Sequence, residues 1–95
     1  MTFDEFQGSL DAPHPPAVPP LLQALWHDAH GNWEAAHGLA QDVDTRDGAW
    51  VHAYLHRKEG DIGNARYWYR RAGQPEAQDD LGAEWARIAG ALLSA

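Results

Sequence analysis

The sequence predicts an all-α fold, a short array of helical hairpins about five helices long. Three observations predict it. From Leu21 onward, apolar residues recur at intervals of three and four. No run alternates apolar and polar residues for long enough to make a strand. The chain also matches itself when shifted by 29 residues. In that shift Ala24, Ala53 and Gly82 coincide, as do His27, His56 and Trp85. Gly31 meets Gly60, Asn32 meets Asp61, and Ala36 meets Ala65. The matches fall where structure needs them: small residues let helices approach, glycines end helices, and Asn or Asp caps the next one.

Residues 1–20 read as a proline-rich arm. Pro13, Pro15, Pro16, Pro19 and Pro20 remove backbone donors and disfavour helix in the residue before each. Phe3, Phe6 and Leu10 suit a short helical turn, and the rest suits an extended strap over one edge of the core. Residues 21–95 then read as the helical repeat domain. Leu21, Leu22, Leu25, Trp26 and Ala29 form the apolar side of a first helix that Gly31 stops. Trp33, Ala36, Leu39, Ala40 and Val43 form the second, capped by Asn32. After a turn at Asp44–Gly48, capped by Thr45 or Asp47, a third helix carries Trp50, Val51, Ala53, Tyr54 and Leu55 to Gly60. Asp61 caps a fourth, broken by Gly73 and Pro75. Asp79 or Asp80 opens a fifth with Leu81, Trp85, Ile88, Ala89, Leu92 and Leu93 inward, which caps the array.

Composition narrows the function classes. The chain has 95 residues, 44% of them apolar and 22% charged, and no cysteine. That excludes a disulfide framework, thiolate metal ligands and a cysteine nucleophile. Apolar runs are far shorter than the ~20 residues of a membrane span, and the first 20 residues lack a signal-peptide pattern, so a cytoplasmic protein is expected. Residues 1–45 hold seven acids and no Lys or Arg, while residues 46–95 hold all seven basic residues. A net charge of −7 argues against binding a nucleic-acid backbone. Tyr67, Trp68, Tyr69, Arg70 and Arg71 combine rings and cations, but adjacent helical residues point in different directions and form no stacking platform.

The strings Gly60-Asp61-Ile62-Gly63-Asn64-Ala65, Tyr67-Trp68-Tyr69-Arg70-Arg71-Ala72 and Gly31-Asn32-Trp33-Glu34-Ala35-Ala36 resemble the second helix of a tetratricopeptide or Sel1-like repeat. Pro75-Glu76-Ala77-Gln78 with Leu81-Gly82 is similar to a Sel1-type repeat junction. The resemblance covers residues 21–89, and the chain also resembles small bacterial proteins of this helical kind. The 29-residue period is shorter than the usual unit of either family, so the turns must be tight, and Ala40 stands where the second unit has Tyr69. The resemblance implies a protein-interaction module whose first helices line a concave groove. On that groove it places Trp50, Tyr54, Arg57 and Lys58, rings and cations suited to a peptide or helix. The plainer reading has the rings in the core and the cations solvated.

Histidines supply the other constellation. His52 and His56 lie four apart on one helix face, and His27 is the repeat equivalent of His56. If first helices pack side by side, His27, His52 and His56 converge on zinc or a similar ion. The plainer reading is packed, hydrogen-bonded rings, with no metal and no cofactor. His30 and His37 flank the Gly31 turn and read as surface histidines. No nucleophile motif or phosphate loop is present, so no catalytic residue is assigned. The expected function is therefore a protein–protein interaction module rather than an enzyme. A small metal-dependent or histidine-based enzyme and a self-associating homodimer are the alternatives.

Overall fold

Every α-helix but the second begins where a side chain satisfies one of its free amides. Thr2 and Glu5 cap α1 (Phe3–Gly8) reciprocally, the hydroxyl accepting from the Glu5 amide and the carboxylate from the Thr2 amide. Helix α2 (Pro20–Ala29) starts on proline, whose missing N–H would be unpaired there anyway. Asn32, Thr45, Asp61 and Asp80 cap α3 (Trp33–Gln41), α4 (Arg46–Glu59), α5 (Ile62–Ala72) and α6 (Leu81–Leu93). Each of these four side chains accepts from the amide three residues on.

The structure is a computed structural model that describes residues 1–94, so Ala95, the last residue of the expected 21–95 domain, lies outside the described residues. Among the described residues there are six α-helices, one 3-10 turn at Ser9–Asp11 and no strand. The fold is all-α as expected, and the sixth helix is α1, within the proline-rich arm. No helix among the described residues is long and apolar enough to cross a membrane.

Two hairpins, α2–α3 and α4–α5, share one stop-and-cap geometry. Gly31 and Gly60 take the left-handed backbone, at φ of 76° and 90°. The amides of Asn32 and Asp61 then donate back to the carbonyls of His27 and His56, at 3.0 and 2.9 Å. Helix α4 runs through the middle and packs on α2, α3, α5 and α6. Ala24 and Ala53 are fully buried, whereas Gly82, their third match, is exposed. The third unit is held differently: Trp85 donates its indole N–H to the Leu25 carbonyl at 2.9 Å and stacks on Phe6 with centroids 5.8 Å apart.

The arm belongs to this packing. Phe6 is 0% exposed, Trp26 donates its indole N–H to the Ser9 carbonyl, and the His30 ring bridges the carbonyls of Trp26 and Leu10. The α3–α4 turn folds so closely onto α4 that a Cβ on Gly48 would lie 2.0 Å from the Val43 carbonyl oxygen. Glycine is required there by space alone.

Candidate metal centre

Helix α4 distributes its side chains among four neighbours. Residues two apart on a helix point about 200° apart, so Tyr54 and His52 serve opposite sides. On one side Tyr54 donates its hydroxyl to Asp28 at 2.7 Å, and Lys58 pairs with the same carboxylate at 2.9 Å. Asp28, on α2, is 2% exposed. Toward α6, Arg57 pairs at 2.9 Å with Glu84, which is fully buried and also accepts from the Tyr69 hydroxyl. Burial, and then the bond to its carboxylate, pushes each of the two tyrosine hydroxyls well above its usual range. Trp50 is buried, at the edge of a cavity under the α5–α6 connection.

These contacts redefine the four residues read as a peptide groove. Trp50 and Tyr54 lie in the core. Arg57 and Lys58 hold buried carboxylates, with Arg57 also donating to the Asp79 carbonyl. Their polar ends already have partners inside the chain.

The opposite side of α4 carries a cluster of imidazoles. Three pairs spaced four residues apart converge from three successive helices: Trp33 and His37 on α3, His52 and His56 on α4, and Asn64 and Trp68 on α5. The Nε2 atoms of His37 and His52 are 2.9 Å apart, so one ring donates to the other. One ring nitrogen from each of His37, His52 and His56 lies within 4.8 Å of the others. His52 and His56 are buried and His37 is half-buried. Trp33 stacks on His37 at 4.7 Å between centroids, and Trp68 stacks on His52 at 4.0 Å. The Trp33 indole N–H is anchored to the Leu55 carbonyl at 2.8 Å.

Protonation favours ligand chemistry. The His56 Nδ1–H donates to Glu59 at 2.7 Å, which in the neutral ring puts the lone pair on Nε2, 3.4 Å from the Asn64 amide nitrogen. A carboxylate behind a histidine fixes tautomer and ring orientation in metal sites. Burial and then the neighbouring histidines push His52 down to about 4. Burial, and then the neighbouring His56, lower His37 in the same sense. His37 and His52 are therefore neutral at pH 7, and the ring that donates from Nε2 must move that proton to Nδ1 before the nitrogen can act as a ligand. Zn–N bonds of about 2.0–2.1 Å at tetrahedral angles put ligand nitrogens about 3.3 Å apart. The 2.9 Å pair must open by a few tenths of an ångström, and the widest separation must close by at most about 1.5 Å, which side-chain rotation supplies. His56, Glu59 and Asp61 form a second grouping, but both carboxylates are exposed and Asp61 already caps α5.

The histidine set differs by one member from the expected His27, His52 and His56. His27 sits on α2, edge-on to Trp26 at 5.3 Å, and the third ring is His37. The repeat alignment assumes that first helices face each other through this position. The His52–His56 face meets the second helices α3 and α5 instead. Spacing held the missing signal, because His37 stands four residues from Trp33 just as His56 stands four from His52. Comparison with protein-family models, curated proteins and solved structures finds no match to this chain.

Proposed function

We propose that this chain binds a divalent transition metal, zinc or a similar ion, through His37, His52 and His56. One observation carries the reading: three imidazoles from two helices bring one ring nitrogen each within 4.8 Å. Neutral imidazole suits Zn, Cu, Ni and Fe, and three protein ligands leave a coordination position for water or substrate. Glu59 orients His56 from behind, and Trp33 and Trp68 hold the other two rings. A peptide groove on Trp50, Tyr54, Arg57 and Lys58 has no comparable support, because internal contacts engage all four.

The test is metal titration of the chelator-stripped full chain, with Zn(II) by calorimetry and Co(II) by visible absorption. One equivalent should bind. His37→Ala, His52→Ala and His56→Ala should each weaken binding at least a hundredfold while far-UV circular dichroism is retained. His27→Ala should leave it unchanged. Absence of stoichiometric binding, or equal binding by all four variants, overturns the reading.

A further inference from the structure

Beside the imidazole cluster lies a cavity of about 280 Å³, closed by the α3–α4 turn, the first turns of α4 and the end of α5. It is smaller than the pockets of about 300–1,000 Å³ that hold drug-sized ligands. His52 and Trp68 form one part of its wall, and Arg46, Arg71, Thr45 and Asp44 form another. The cations distinguish it. Arg57, Lys58, Arg66 and Arg87 all sit within 3.2 Å of a carboxylate. Among the described residues, neither Arg46 nor Arg70 has a carboxylate within ion-pair distance, and of the two only Arg46 lines the cavity. Arg71 reaches only Asp44, at 3.9 Å, and that carboxylate is fully exposed. Such a pair contributes little in water. Arg71 is instead positioned by the Tyr67 hydroxyl at 3.0 Å and lies over the Trp68 ring at 5.2 Å. A chain of net charge −7 thus keeps two under-neutralised guanidinium groups on one small concavity.

We propose that this cavity binds a small oxyanion, a ligand bearing a carboxylate or phosphate group, between Arg46 and Arg71 and beside His52. Guanidinium groups present forked donors that match both anions. Asp44, the one carboxylate among the described residues of this lining, is already fully exposed to solvent and makes only the loose Arg71 contact, so it neutralises the two guanidinium groups little. The proposal rests on the metal reading in one respect: His52 belongs to both sites, so a metal held there adds its charge to the cavity. The close approach at Gly48 matters here too, because any side chain would force apart the turn that forms one wall.

The test is calorimetry of the full chain with acetate and with methyl phosphate as probes, metal-free and zinc-loaded, at low ionic strength. At least one probe should bind with millimolar or tighter affinity, and more tightly once zinc is present. The double variant Arg46→Gln/Arg71→Gln should weaken that probe at least tenfold while zinc affinity stays within twofold. Acetate binding without methyl phosphate binding assigns the ligand as a carboxylate, and the reverse assigns a phosphate. Anion binding that the double variant loses, in a chain that takes up no zinc, upholds the cavity and overturns the metal centre. Zinc uptake without binding of either probe, or probe binding equal in the double variant, overturns the cavity.

Discussion

Replacing Glu84 by alanine should destabilise the fold by about 3–5 kcal/mol, the range for removing one partner of a buried ion pair. Glu84 is 0% exposed and serves two donors from two helices, Arg57 on α4 and Tyr69 on α5. Its loss leaves the Tyr69 hydroxyl buried without an acceptor, by itself about 1–3 kcal/mol. It also leaves Arg57 partly buried without its carboxylate, at 18% side-chain exposure. Arg57 keeps its bond to the Asp79 carbonyl and an edge in solvent, so the total should fall toward ~3 kcal/mol. At roughly 4–8 °C per kcal/mol for a domain of this size, Tm should drop by at least about 12 °C. Urea unfolding followed by circular dichroism reads the change as a lower midpoint at constant slope. Tyr69→Phe should destabilise less, and the double variant by less than the sum, with a coupling above about 0.5 kcal/mol. A loss under about 1 kcal/mol for Glu84→Ala, or strict additivity with Tyr69→Phe, would refute the account of a shared buried carboxylate.

The arm yields a second expectation: Phe6→Ala, which empties a wholly buried ring site stacked on Trp85, should destabilise by about 3–5 kcal/mol in the same urea assay. Deleting residues 1–20 should do at least as much, and an unchanged midpoint would make the arm a dispensable tail. Metal-free protein should also lose stability in acid. His52 is held near 4 in the folded chain against a normal value of about 6.5, so the unfolded chain binds the extra proton between those values. Stability is then full above about pH 6.5, falls as pH drops toward 4 by up to about 3 kcal/mol, and loses nothing further from this group below that. Urea midpoints from pH 7 to 4 in chelator should fall less steeply for His52→Gln than for the wild-type chain, and parallel slopes would remove His52 as the cause.

What the sequence carries best is backbone information. Gly31 with Asn32 and Gly60 with Asp61 signal stop-and-cap turns locally, through left-handed glycine and a side-chain acceptor, and both turns form with the same hydrogen bonds. The repeat shift correctly pairs His27 with His56 in that sense, since both carbonyls accept the amide that follows the turn. It fails for the side chains, because a matched backbone position does not fix which neighbour a face meets. Trp85, the third member of the series, fills its place by stacking on Phe6, a residue from an arm that the repeat does not include. The division of labour around α4 is likewise tertiary. Tyr54, Arg57 and Lys58 look like a binding strip until α2 and α6 bring Asp28 and Glu84 against them, and nothing near those acids in sequence marks them as buried. The three pairs spaced by four were legible one helix at a time: Trp33 with His37, His52 with His56, Asn64 with Trp68. Their convergence was not, because it depends on α4 turning its histidines away from α2. The same rotation that puts Tyr54 against Asp28 puts His52 and His56 against α3 and α5. The buried clamps and the imidazole cluster are therefore two consequences of one helix orientation, and a variant that rotates α4 should disturb both together.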